Sequence, residues 1–174
     1  MRPFRESDLD AFHAMRSSEP VRRSLHTAEI PTREQSWSMM AQMLGHWELR
    51  YIGQWVLEEQ GTGRFLGRAG AYRPEREDWP GIEIGWTLDP SAWGNGYAPE
   101  AGRAAVDWVF ANHDAARLYS MILADNTLSQ AVARRVGFEK EGERVYAWFP
   151  ALPHAAWTLT RQRWGEVRVA QAET

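Results

Sequence analysis

The stretch Leu88-Asp89-Pro90-Ser91-Ala92-Trp93-Gly94-Asn95-Gly96-Tyr97-Ala98-Pro99-Glu100-Ala101 constrains the fold more than any other part of this chain. Alternation over Ile82-Glu83-Ile84-Gly85-Trp86-Thr87-Leu88 marks a strand, and Asp89-Pro90 ends it. Beyond the glycines, Ala101, Ala104, Ala105, Trp108 and Val109 fall on one helical stripe. A helix is therefore predicted from Pro99, at a first position where the missing N–H costs nothing, to about Asn112. A strand that enters a helix through a glycine turn presents backbone N–H groups at the electropositive end of that helix. Small residues at Gly94, Gly96 and Ala98 admit a bulky anion, so the implied ligand is a phosphate or diphosphate. A glycine pair by itself is more often a turn device than an anion site. Two other phosphate motifs are excluded by spacing: no Gly-Lys-Ser/Thr occurs, and Pro99 stands where a dinucleotide fingerprint needs its third glycine.

Around this stretch the periodicity gives the order ααβββαβαββ. Ser7 opens a first helix through Arg16, with Asp10 three residues on; Thr32-Arg33-Glu34-Gln35 is a capping box for a second helix that ends at Gly45. Gln54 to Glu59 and Arg64 to Tyr72 flank Gln60-Gly61-Thr62-Gly63 as a hairpin, followed by the polar loop Arg73 to Gly81 and the strand at Ile82. After the central helix come a strand from Arg117 to Ala124 and a helix from Leu128 to Val136. Gly137 caps that helix and Phe138 folds back onto it. Two extended pieces, Arg144 to Phe149 and Ala155 to Thr160, close the chain. With no repeat, linker or low-complexity tract, residues 1–174 read as a single α+β domain with a mixed sheet.

Composition narrows the chemistry. The 20 Lys+Arg against 23 Asp+Glu give a net charge of −3, which argues against bulk nucleic-acid binding and leaves a slight lean toward cationic substrates. The absence of cysteine removes disulfides, thiolate metal sites and a cysteine nucleophile. The five histidines show no paired ligand spacing, so no metal is expected. Without a membrane-length apolar run or a secretion-type N-terminus, the expected setting is the cytoplasm. The ten tryptophans exceed what such a length normally carries, and Trp37, Trp47, Trp55 and Trp148 are candidates to line a substrate cleft.

Two blocks carry a family resemblance. Trp93-Gly94-Asn95-Gly96-Tyr97-Ala98 is similar to the diphosphate motif Gln/Arg-x-x-Gly-x-Gly/Ala of the GNAT superfamily of acyl-CoA-dependent N-acyltransferases, matching at Gly96 and Ala98. Asn126-Thr127-Leu128-Ser129-Gln130-Ala131-Val132-Ala133-Arg134-Arg135-Val136-Gly137-Phe138 resembles the family's later Asn-x-x-Ala/Ser-x-x-Leu-Tyr-x-x-x-Gly-Phe, with one helix and one strand between the blocks. Trp93, in place of Gln or Arg, looks like the RimJ/RimL-like branch that acetylates ribosomal-protein N-termini. The resemblance implies a largely antiparallel mixed sheet flanked by helices, the acyl-CoA N-acyltransferase fold. It also implies a first strand ahead of Arg2-Pro3-Phe4, so either that edge is reduced here or the start is internal.

The same resemblance assigns roles. Acetyl-CoA is the expected co-substrate, its diphosphate held by Trp93, Gly94, Asn95, Gly96, Tyr97 and Ala98 and its pantetheine arm by the backbone of Trp86, Thr87 and Leu88. One amide of that strand polarises the thioester oxygen. An alkylammonium needs a base near neutrality, and the candidate is Glu83, with an ordinary strand carboxylate as the competing reading. The family's tyrosine acid falls on Ala133, which leaves Ser129 as its substitute. Asn126 orients the cofactor amide or caps the helix after it, and capping competes equally at Ser129. Arg134 or Arg135 can reach the phosphates or simply remain solvated. The expected reaction is transfer of an acetyl group to a primary amine, a protein N-terminus or a small molecule, by direct attack in a ternary complex. The alternatives are a small-molecule acceptor such as an aminoglycoside, polyamine or amino acid, and a non-catalytic acyl-CoA-binding module. A homodimer is the family's expectation.

Overall fold

A computed structural model describes residues 1–147 and 152–172. Three helices lead the chain: α1 (Leu9–Ser17), α2 (Glu19–Ser24) and α3 (Arg33–Arg50). They are followed by strands β1 (Gln54–Glu58), β2 (Phe65–Tyr72) and β3 (Glu83–Leu88), helix α4 (Tyr97–Asn112), strand β4 (Arg117–Leu123), helix α5 (Thr127–Val136), strands β5 (Glu139–Arg144) and β6 (His154–Thr160), and helix α6 (Arg161–Ala172). The strands form one six-stranded sheet in the order β1-β2-β3-β4-β6-β5, antiparallel except where β3 meets β4. This is the mixed, largely antiparallel α+β architecture expected of the chain.

Each sheet face buries a different helix set. Phe12, Met15, Val21, Met40 and Met43 of the leading helices close over Val56 with Phe4 and Leu9. On the opposite face Ala105, Val106 and Val109 of α4, Ala133 and Val136 of α5 and Trp164 of α6 pack against Ile84, Leu118, Trp157 and Leu159. Outside the strands, Arg2 makes a two-bond bridge with Val56, and its guanidinium is bound by Asp8 and Glu58. That bridge is all that stands at the edge where the resemblance implies a first strand.

Thr32 caps α3 as the sequence predicts: its hydroxyl accepts from the Gln35 amide at 3.1 Å, and the Gln35 side chain returns to the Thr32 amide at 2.8 Å. Thr32→Ala is expected to remove about 1 kcal/mol of stability, a fall of about 2–4 °C in Tm, measurable by calorimetry.

Four local readings need correction. Ser7 does not cap the first helix; the buried Asp8 carboxylate accepts from the Arg5 amide at 2.7 Å and sets that turn while paired to Arg2. Gly45 does not end α3, which continues until Tyr51 adopts a left-handed conformation. Tyr97, not Pro99, begins α4, with Gly96 as its N-cap. The strand expected from Arg144 to Phe149 lies instead at Glu139–Arg144, with 148–149 outside the described residues, whereas the last strand, His154–Thr160, stands where Ala155–Thr160 was expected. Helices α2 and α6 are additions. β5 escaped notice because Glu139-Lys140-Glu141-Gly142-Glu143-Arg144 has no apolar alternation; its pairing with β6 comes from position at the sheet edge.

Candidate active site

The site opens where the sheet splits. β3 pairs with β4 only at Glu83 opposite Tyr119, where the Tyr119 amide donates to Ile82 O at 3.0 Å. One step further, the Met121 amide of β4 reaches the Glu83 carboxylate at 3.4 Å in place of a β3 carbonyl. Beyond that fork the strands diverge. Asp89 donates to Leu66 O on the β2 side, so by strand alternation the backbone groups of Trp86 and Leu88 face the gap. The Leu88 carbonyl is occupied by the Trp93 indole N–H at 2.9 Å, whereas the Trp86 amide stays available. The indole that replaces the family's Gln or Arg thus locks the turn onto β3.

The turn itself leaves a row of backbone amides without acceptors among the described residues. Gly94 and Gly96 have φ of 80° and 83°, which side-chain-bearing residues rarely adopt, and a Cβ at either would meet nothing within 4 Å. Their conformation, not crowding, requires glycine, and open space lies above them. The N–H groups of Gly94, Asn95, Gly96, Tyr97 and Ala98 find no acceptor among the described residues. They lie at the N-terminus of the 16-residue α4, where the helix dipole adds positive potential. The Asn95 amide turns back to Ala92 O and Trp93 O, so its side chain serves the turn and only its backbone faces a ligand. The Tyr97 hydroxyl donates to Glu59 at 2.9 Å, tying α4 to the β1–β2 hairpin. Arg64, with Thr62 and Tyr97, holds the Glu59 carboxyl down at about 2.

Two cavities meet at the gap. One, about 400 Å³, is lined by Trp86, Thr87, Leu88, Trp93, Gly94, Gly96, Tyr97, Ala98, Asn126 and Ser129, with Leu128 and Arg135 at its side. The other, about 340 Å³, is lined by Glu83, Gln54, Arg68, Tyr72, Met121 and His154. Thr87, Trp86, Asn126 and Ser129 belong to both. A cofactor laid along the first therefore delivers its reactive end into the second. A wider space of about 1050 Å³ beneath α3 continues from the second past Arg68 and Thr87.

Glu83 stands on the sheet face under the leading helices, in the row Tyr72–Glu83–Tyr119. It keeps some accessible surface toward the cavity, but its surroundings are desolvating enough to push the carboxyl up to about 8, against the opposing effects of the Met121 amide and the Arg68 and Arg76 charges. A carboxyl poised near neutrality is what proton removal from an ammonium requires. His154, buried with Nδ1 3.2 Å from Leu152 O, is lowered by desolvation.

At the start of α5, Asn126 accepts from the Ser129 amide at 3.1 Å and donates to Ser24 O at 2.9 Å, so it acts as a cap that also ties α5 to α2. The Ser129 hydroxyl takes no partner among the described residues and points to no helix bond, leaving it available where the cavities join. Ala133 is fully buried in the core and offers no acid. The two arginines divide: Arg135 lines the first cavity, whereas Arg134 lies over the Trp157 ring at 5.3 Å.

The tryptophan expectation fails for Trp47 and Trp55. Trp47, Trp55 and Trp108 form a cluster with centroids 4.7 to 5.3 Å apart, joining α3, β1 and α4 away from the cavities. Trp37 lies on the exposed side of α3, and Trp148 lies outside the described residues. Missed from sequence were Gln54, Arg68, Tyr72 and His154, and Ser24 and Leu25 at the end of α2. They carry no motif; sheet register brings Gln54, Arg68 and Tyr72 beside β3, and only the tertiary fold adds the others. Among the described residues no group of three or more His, Asp or Glu is placed to hold a metal, and no helix is long and apolar enough to cross a membrane.

The chain is 35% identical over 86 residues to the uncharacterized protein YkkB of Bacillus subtilis (strain 168), 49% of this chain and 50% of that one, so the match spans about half of that relative's length. It is 25% identical over 155 residues to the uncharacterized N-acetyltransferase YoaA of the same organism, covering 88% and 87% of the two chains. The solved aminoglycoside acetyltransferase AAC(6')-Ib in complex with coenzyme A superposes with a TM-score of 0.79 at 19% identity, over 96% of this chain and 97% of that one, a likeness of fold. Residues 1–139 match the acetyltransferase (GNAT) domain, and the chain therefore belongs to the GNAT family of acetyl-CoA-dependent acetyltransferases.

Proposed function

We propose that this protein transfers the acetyl group of acetyl-CoA to a primary amine by direct attack within a ternary complex. The supporting observation is the meeting of an anion-ready cavity with a second cavity at the β3–β4 fork, with Ser129 at the junction and Glu83 lining the second. The diphosphate rests on the free amides from Gly94 to Ala98, and the pantetheine arm follows the backbone of Trp86, Thr87 and Leu88. Glu83 takes the proton from the ammonium or, through water, from the attacking nitrogen as it bonds to the thioester carbon. The Trp86 amide steadies the developing oxyanion. The carbon–sulfur bond then breaks as the nitrogen gives up its second proton, which reaches the departing thiolate through the Ser129 hydroxyl, directly or through water, Ser129 giving one proton and taking one back; the products are an N-acetylated amine, free coenzyme A and the proton on Glu83, which returns to solvent.

Because a thiol with a pKa of about 8.5 leaves readily, the Ser129 contribution is modest. Ser129→Ala is expected to lower kcat by about tenfold while coenzyme A affinity stays within about twofold, read by thiol release and titration calorimetry.

The RimJ/RimL-like assignment rests on Trp93, and homodimerisation and a cytoplasmic setting go with it; light scattering tests the dimer. Thermal shift with acetyl-CoA, together with thiol release across a panel of amines, tests the reaction itself. Stabilisation by acetyl-CoA without acetylation of any amine would replace this reading with a non-catalytic binding module.

A further inference from the structure

The acceptor side of the site holds two arginines, Arg68 and Arg16, that form no ion pair within 4 Å among the described residues. Arg68, on β2, lines both the 340 Å³ cavity and the wider one and is half-buried, with its guanidinium donating to Gln54 Oε1. Arg16, on α1, lines the wider cavity, donates to Ser36 Oγ at 3.0 Å and lies 5.7 Å over the Phe12 ring. No carboxylate lies within 4 Å of either among the described residues. Desolvation and the like charge of Arg16 work against the Arg68 cation, and Glu83 in the same cavity offsets them only in part. An anion arriving at Arg68 relieves both the desolvation and the repulsion.

Register fixes where that anion sits relative to the chemistry. Arg68 lies opposite Thr87, but its guanidinium leans to Gln54, whose row is Gln54–Gly70–Gly85; Glu83 is the next position on the same face, roughly 7 Å further along β3. A bound anion and an amine facing Glu83 are thus separated by only a few bonds.

We propose, resting on the acetyl-transfer reading above, that the acceptor is a compact primary amine that itself carries a carboxylate or phosphate, which Arg68, with Arg16 behind it, binds while the amine faces Glu83. The guanidinium fork suits such oxygens, and its charge lowers the acceptor's ammonium pKa, favouring the neutral nucleophile. It also repels polycations. The overall charge of −3 leans the other way, but Glu29 and Glu34, which line the wider cavity, are exposed and screened, whereas Arg68 is half-buried where the two cavities share it.

The test compares amines of matched length: 4-aminobutanoate, 3-aminopropylphosphonate, 4-aminobutanamide and 1,4-diaminobutane, with alanine against alaninamide as the shorter pair. The expected result is a kcat/KM at least about tenfold higher for an anionic member than for its amide, and about a hundredfold higher than for the diamine. In Arg68→Met these ratios collapse toward one while coenzyme A affinity is retained. The wild-type ratios stand even if that variant does not fold. Equal or better use of the amide or diamine by the wild type overturns the proposal. If acetyl-CoA binds and no amine is acetylated, it is the acetyl-transfer reading that fails. Titration calorimetry of the same anions into the coenzyme A-bound protein then decides the anion site: saturable binding upholds it, and its absence overturns it.

Discussion

Glu83→Gln is expected to lower kcat/KM by about 10²–10⁴-fold, with acetyl-CoA affinity little changed, because glutamine keeps the shape and the acceptor for the Met121 amide but cannot take a proton. The pH profile is the sharper readout. With the carboxyl raised to about 8, the wild-type kcat/KM rises with pH through that value as the basic form accumulates, then levels. In the variant this limb is gone, and only the ionisation of the acceptor amine remains. The same shift has a stability consequence of opposite direction. A carboxyl at about 8 in the folded state against an ordinary 4.5 binds its proton more tightly when folded. Its stability contribution is complete below about 4.5 and is lost as pH rises through about 8. Glu83→Gln therefore raises Tm at pH 9 by several degrees, roughly, and changes it little at pH 4. Calorimetry at both values, with the pH–rate profile, checks the assignment. A variant with an unchanged profile would remove Glu83 from the mechanism.

Gly96→Val is expected to weaken coenzyme A binding by about a hundredfold or more. At φ of 83° a β-branched residue is strained by at least 1–2 kcal/mol, and its side chain would occupy the space over the free amides. Relief of that strain rotates the Gly96 and Tyr97 N–H groups away from one another, and each hydrogen bond to a charged oxygen is worth about 1.5–3 kcal/mol. Gly61→Val is the matched control. Gly61 has φ of 85° and nothing within 4 Å of a built Cβ, but it sits in the β1–β2 hairpin. Both variants should lose stability, and only Gly96→Val should lose cofactor affinity, by titration calorimetry. Equal retention of affinity would show that the diphosphate is not held at this turn.

The local elements were legible where short-range physics decides them. Thr32 with Gln35, and Gly137 with Phe138, are closed within a few residues of chain: the Phe138 amide reaches Ala133 O at 3.0 Å, and the caps form as their residue types require. The glycines of the diphosphate turn belong to the same class, since their positive φ is a property of the backbone at those positions. Where the local signal was weak, reading it alone went wrong. Gly45 carried a stop signal inside a helix that continues to Arg50. β5 carried no signal because an exposed edge strand needs no apolar alternation.

Sequence by itself therefore determined the strand–turn–helix that offers amides to an anion, the order of the two motif blocks, and the presence of a carboxylate at Glu83 on the strand leading into that turn. It did not determine what surrounds that carboxylate. Only the folded sheet sets β3 and β4 apart after a single pairing, buries Glu83 enough to raise it, and leans Arg68 from a neighbouring strand toward it through Gln54. It also draws Trp47 and Trp55 into a packing cluster with Trp108, away from the cleft that their number alone suggested. The physical reason is range. Caps and glycine conformations are settled within one turn of chain, whereas desolvation and charge pairing depend on which distant segments become neighbours.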